Sequence, residues 1–167
     1  MQLSMQETVV ILDSIRSAHN VGSIFRTSDA AGVSKIYLCG PTPDPIDRFG
    51  REQKEIAKTS LGASQSIPWE HIGVIESRSA QAVLALCTKL QQEGFTVVVV
   101  EQSAQSVDLY DFVVPQKVAY IFGAEVEGVL PELISAADVV LELPMRGMKE
   151  SLNVSVTAGI VLFQNKN

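Results

Sequence analysis

The feature that most constrains this chain is a recurring alternation between short, β-branched apolar runs and longer amphipathic stretches. The apolar runs fall at residues 8–12, 35–38, 95–100, 118–122 and 139–143, with a brief further strand expected at 67–69. Several consist almost wholly of Val, Ile and Phe. That is the composition of strands buried on both faces of a parallel sheet, whereas a half-solvated strand alternates apolar with polar residues. Between them lie helical patterns at 20–31, 51–59, 79–92, 131–136 and 153–163. The clearest is 79–92, with Val83, Leu84, Leu86, Cys87 and Leu90 on one side and Gly94 as its stop. Asn20 is expected to cap the first helix, with Gly32 following its end. Residues 42–49 carry Pro43 and Pro45 and read as a loop, because proline cannot donate within a central strand. Strand–helix alternation of this kind predicts an α/β fold, three layers thick, around a mostly parallel sheet.

Composition narrows the class further. The 167 residues are 46% apolar and 19% charged, which suits one folded domain with a sizeable core. We therefore expect a single domain over 1–167. No stretch approaches the ~20 uninterrupted apolar residues of a membrane helix, and residues 1–7 show no basic region leading into an apolar block. A cytoplasmic protein with no membrane partner is expected. Cys39 and Cys87 lie far apart and match no metal-ligand spacing, and with only His19 and His71 besides, no metal is expected. The formal net charge is −6, which by itself argues against nucleic acid. Its distribution is uneven: seven of the 13 basic residues but only five of the 19 acidic ones lie between Arg16 and Lys58. One face could therefore still attract phosphates.

Ligands of such sheets sit beyond the carboxyl ends of the strands, so the loops following 12, 122 and 143 are where chemistry is sought. The first runs from Ser17 to Val33 (SAHNVGSIFRTSDAAGV). Gly22 permits a close approach by backbone or ligand. Taken alone, a capped helix whose Arg26 reaches solvent is the plainer reading of this segment. The second loop, Ile121 to Val129 (IFGAEVEGV), places Gly123 directly after a buried strand. Glu125 and Glu127 there suit either a site or the mouth of a helix. Gly123 and Gly128 are spaced like the outer glycines of a phosphate loop, but Val129-Leu130 stands where Lys-Ser/Thr is required, which excludes that motif. The third loop, Leu143 to Ile160 (LPMRGMKESLNVSVTAGI), turns at Pro144 and Gly147 before an apolar helix opened by Ser151, Asn153 and Ser155, any of which could be a cap.

N-x-G-x-x-x-R-T-x-D-A-A-G, F-G-x-E-x-x-G and L-P-M-x-G-x-x-x-S-L-N-V-S-V occur in that order, with K-T-S-L-G-A at 58–63 between the first two. Together they resemble the three motifs of the SpoU/TrmH RNA ribose 2′-O-methyltransferases, and the resemblance runs from about residue 8 to 163. It implies a C-terminal trefoil knot, which no periodicity could show, and S-adenosylmethionine held by Phe122, Gly123, Leu143, Met145 and Leu152. It also implies methylation of a ribose 2′-hydroxyl in tRNA or rRNA, with Arg26 central and Asn20, Glu125, Ser151 and Asn153 supporting it, in a homodimer.

No separate RNA-binding domain is expected within the chain. RNA recognition is assigned to Arg16, Arg48, Arg51, Lys54, Lys58 and Arg146, or to a helper protein. A non-catalytic cofactor- or RNA-binding relative, and a base-directed knotted methyltransferase, stay open as alternatives.

Overall fold

Val9, Val10, Ile11 and Leu12 have no polar side chain to offer either face, so their strand is stable only with apolar layers on both sides. The computed structural model, which describes residues 6–164, supplies those layers. The absence of a leader expected at 1–5, and of a basic tail at 165–167, lies outside the described residues.

Seven strands form one sheet in which every pairing is parallel. In chain order they are β1 (Glu7–Asp13), β2 (Lys35–Cys39), β3 (Trp69–Ile72), β4 (Thr96–Val100), β5 (Val107–Asp108), β6 (Lys117–Phe122) and β7 (Val139–Glu142). Their order across the sheet is β3-β2-β1-β6-β4-β7-β5. The helices are α1 (Ala18–Ala30), α2 (Lys54–Ser60), α3 (Ala63–Ser66), α4 (Ala80–Gln92), α5 (Pro131–Ala136) and α6 (Val154–Phe163).

Strand alternation divides the core in two. Val10, Leu12, Tyr120 and Phe122 point to one face, where they meet Ile24 and Phe25 of α1, Ile56 of α2 and Val161 of α6. Val9, Ile11, Ala119 and Ile121 point to the other face and meet Val83, Leu86 and Leu90 of α4 with Leu133 of α5. The sheet is therefore the middle of three layers, as the sequence leads one to expect. Cys39 and Cys87 sit in the second cluster, 0% and 2% exposed. Burial raises the Cys39 thiol far above its ordinary range and pushes Cys87 up to about 11.

Several boundaries differ from expectation. The first helix starts at Ala18, and its cap is Ser17, whose hydroxyl accepts from the Asn20 amide; Asn20 is not the cap. The short strand expected at 67–69 is β3, Trp69–Ile72, and the helix expected at 51–59 is α2. The two-residue strand β5 is too short for any periodicity to reveal.

Candidate functional site

Asn20 stands in the first turn of α1. Because Ser17 already caps that helix, the Asn20 side chain is free to reach across the sheet edge. Its Nδ2 donates to Oε1 of Glu125 at 2.6 Å, and its Oδ1 accepts from Nδ2 of Asn153 at 3.3 Å. Asn153 is itself the cap of α6: its Oδ1 accepts from the Ser155 amide at 2.9 Å and the Ser155 hydroxyl at 2.6 Å. One asparagine, only 5% exposed, thus knots together the loops after β1, β6 and β7. Both ends of its amide are satisfied, as a buried side chain of this type requires.

The Glu125 carboxylate does not sit at a helix mouth. Helix α5 begins only at Pro131, and the acid in its first turn is Glu132. Nor does Ser151 cap α6; it is exposed and lines the cleft.

That cleft lies at the carboxyl ends of β4, β6 and β7 and encloses about 580 Å³. Phe122, Gly123, Leu143, Met145 and Leu152, the residues expected to hold a cofactor, all line it, as do Glu125, Ser151 and Asn153. Its size falls in the usual range for a small-molecule site. Glu101, Glu125, Glu142 and Glu150 also line it, and among the described residues no Lys or Arg does. Gly123 also has a packing reason to be glycine. A Cβ there would come within 2.6 Å of Val129 Cγ2 and 2.8 Å of the Val129 amide. Its own loop folds back over it and leaves no room for a side chain. Gly22 is likewise closed in: a Cβ would meet Thr59 Oγ1 at 1.9 Å and the Ile56 carbonyl at 2.6 Å, where α2 crosses α1.

Four further residues, Asp13, Arg78, Glu101 and Gln102, position the second and third loops, and sequence reasoning missed them. Arg78, in the loop before α4, donates to Oδ2 of Asp13 from Nη2 at 3.0 Å and from Nε at 3.3 Å. The same Nη2 donates to the Gly128 carbonyl at 2.6 Å. The Asp13 side chain is 1% exposed, so this pair fixes the second loop to the end of β1. Glu101 Oε2 accepts from the Val129 amide at 3.1 Å, and Gln102 Nε2 donates to the Glu150 carbonyl at 2.7 Å. The available signal was a carboxylate directly ending a wholly apolar strand, at Asp13 and again at Glu101.

Arg26 is exposed on α1, and its side chain makes no ion pair or hydrogen bond among the described residues. Arg16, Arg48, Arg51, Lys54, Lys58 and Arg146 are exposed as well. Arg146 borders a second, shallower cleft of about 510 Å³ with Tyr110, Leu143 and Ile160. No group of three or more His, Cys, Asp or Glu among the described residues is placed to hold a metal ion.

Residues 7–163 match the SpoU rRNA Methylase family. The chain belongs to this family. It is 29% identical over 98% of its length to the 23S rRNA (guanosine-2′-O-)-methyltransferase RlmB of Neisseria meningitidis, of which it covers 60%. It is 31% identical over 95% of its length to the tRNA (guanosine(18)-2′-O)-methyltransferase of Aquifex aeolicus, of which it covers 68%. Among solved structures it superimposes on an AdoMet-bound rRNA methyltransferase from Sinorhizobium meliloti with a TM-score of 0.78 and 30% identity, covering 96% of this chain and 56% of that one. The chain thus spans some three-fifths of the length of these relatives. The SpoU match starts at the first residue of β1 and ends at the last residue of α6, so the Asn20–Glu125–Asn153 junction and the cleft beside it lie wholly inside the family's region.

Proposed function

We propose that this chain transfers a methyl group from S-adenosylmethionine to a ribose 2′-hydroxyl of tRNA or rRNA. The observation that carries the reading is the Asn20 junction, which joins the three motif loops around one cleft while Arg26 remains unpaired. The cleft fits the cofactor. Phe122, Leu143, Met145 and Leu152 offer apolar walls for an adenine, and four glutamates with no lysine or arginine complement a ligand carrying a sulfonium and an ammonium. S-adenosylmethionine supplies an electrophilic methyl group on that sulfonium.

The protein's own residues then have distinct tasks. Arg26 offers five N–H donors and no acceptor, so its task is to bind and not to take a proton. Its planar fork grips the phosphate beside the target bidentately and stabilises the alkoxide as the 2′-hydroxyl gives up its proton to solvent water. Asn20 and Asn153 hold the loops in register, Glu125 orients Asn20, and Ser151 presents a hydroxyl to the cleft. Arg16, Arg48, Arg51, Lys54, Lys58 and Arg146 make phosphate contacts.

Residues 1–167 act as one methyltransferase domain, supported by a single sheet covered on both faces. The C-terminal part is threaded as a trefoil knot. In support, Val100 and Val107 both pair with Leu141, from opposite sides of β7. Residues 101–106 therefore cross β7, and the chain leaving β7 must pass that crossing. The working unit is a homodimer with Arg26 delivered to the partner's cleft. In support, α6 is apolar almost all round, yet Val156, Ile160 and Phe163 are exposed; a helix of that kind needs cover on every side. No helix among the described residues is long and apolar enough to cross a membrane, and an RNA substrate places the work in the cytoplasm.

The test is methyl transfer from labelled S-adenosylmethionine to unmodified tRNA and rRNA, followed by nucleoside analysis, with Arg26→Ala alongside. A 2′-O-methylnucleoside that vanishes with the variant is expected. A methylated base would point to a base-directed enzyme, and cofactor binding without transfer would point to a binding module. Light scattering tests the dimer: a monomer that still methylates would remove the shared site.

A further inference from the structure

The loop between β2 and α2 ends in an aromatic side chain that the core does not use. Phe49 is 67% exposed. The guanidinium carbons of Arg48 and Arg51 stand 4.8 and 5.0 Å from its ring centre. The turn that carries it is organised by one carboxylate. Oδ1 of Asp47 accepts from the amides of Phe49 and Arg51, each at 2.9 Å, and Oδ2 accepts from Nε of Arg51 at 2.8 Å. The Asp47 amide donates to the Arg51 carbonyl and the Gly50 amide to the Asp47 carbonyl, both at 2.9 Å. Gly50 takes a φ of +76°, and Ile46 pairs with Glu52 as an antiparallel bridge that closes the loop. Hydrogen bonds from Arg51 and Phe49 hold the Asp47 carboxyl below its ordinary range, so the ionised form that organises the turn persists to more acidic pH than in a free aspartate. An apolar ring is thus held in solvent beside two guanidiniums by an ordered turn.

We propose that Phe49 is a stacking platform for an unpaired base of the RNA substrate, with Arg48 and Arg51 meeting the phosphates on either side of that base. The proposal rests on the RNA substrate put forward above and adds a recognition element outside the three motif loops. An aromatic face takes any nucleobase, but only where the base is released from its neighbours, so such a platform selects single-stranded or looped RNA over duplex. Flanking guanidiniums add charge complementarity to the backbone and a second planar surface. A ring held in place by its own turn loses little freedom on binding. Position agrees with this use: the loop leaves the carboxyl end of β2, the sheet edge from which the cleft loops also arise.

The test compares the full chain with Phe49→Ala, Phe49→Leu and Phe49→Tyr. Fluorescence anisotropy would follow a labelled single-stranded RNA and a duplex of the same sequence, and calorimetry would follow S-adenosylmethionine. Phe49→Ala and Phe49→Leu are expected to weaken single-strand binding about tenfold, and Phe49→Tyr by no more than about twofold. Duplex and cofactor binding should not change, and KM for whichever RNA is methylated, tRNA or rRNA, should rise while kcat holds. Wild-type affinity in Phe49→Leu, or equal losses on single strand and duplex, would overturn the platform while leaving the methyltransferase reading intact. A wild-type chain that binds and methylates no RNA would remove both. In an arm with anionic phospholipid vesicles, binding that Phe49→Ala abolishes would make the tip a membrane anchor instead and overturn the proposal.

Discussion

Asn20 and Glu125 lie 105 positions apart, yet the asparagine amide donates to the glutamate carboxylate across 2.6 Å. The donor belongs to a residue 5% exposed, the acceptor to an exposed loop. Removing the acceptor therefore strands a buried donor, whereas neutralising it does not. Glu125→Ala should cost about 1–3 kcal/mol, read as a fall in Tm of roughly 2–4 °C for each kcal/mol in a chain of this size. Glu125→Gln, whose amide oxygen still accepts, should melt with the wild type. An unchanged Tm in Glu125→Ala would mean that water replaces the carboxylate.

Arg78 and Asp13 make a second long-range pair, and here the buried member is the charge. Arg78→Met leaves a carboxylate at 1% exposure with no counter-ion, which should destabilise the fold by about 3–5 kcal/mol in urea denaturation. Adding Asp13→Asn removes the orphaned charge and should recover most of that loss. A double variant no more stable than Arg78→Met would show that the Gly128 carbonyl contact, and not the ion pair, supplies the stability.

Arg26 offers the opposite case. Exposed, and unpaired among the described residues, it should be replaceable by Ala or Lys with a stability change within about 0.5 kcal/mol. If its fork binds a phosphate and a developing alkoxide, Arg26→Lys should still lower kcat by about a hundredfold or more. Near-full activity in Arg26→Lys would show that a point charge suffices.

Burial raises both cysteine thiols, Cys87 to about 11 and Cys39 beyond it. At pH 8 roughly one Cys87 in a thousand is thiolate, the form that attacks disulfide reagents. Neither thiol should react with Ellman's reagent in the folded protein at that pH, and both should react at once in guanidinium. Prompt labelling of the native chain would reveal local opening of the α4 face.

Much of this architecture is written locally. Runs such as Phe95–Val100 and the helical spacing of Val83, Leu86, Cys87 and Leu90 need only their own neighbours to be read, because strand and helix periods are properties of adjacent residues. The three motif loops could be read as ordered residue patterns, and the five residues that the family resemblance proposes for the cofactor all line the cleft. Ends were less legible. Ser17 and Asn20 are both good caps, and geometry alone chose the serine. Gly22 showed that something approaches closely, but not that α2 does.

The sequence by itself determined the main element types, the parallel three-layer class and the three loops that border the cleft. Tertiary structure alone decided the strand order that inserts β6 between β1 and β4, and with it every contact between distant loops. Asn153 to Asn20 spans 133 positions, and Arg78 to Asp13 spans 65. Such pairs leave no periodic trace, because either partner would look the same facing solvent. They exist only once burial of the strands on both faces has brought their carboxyl ends to one edge.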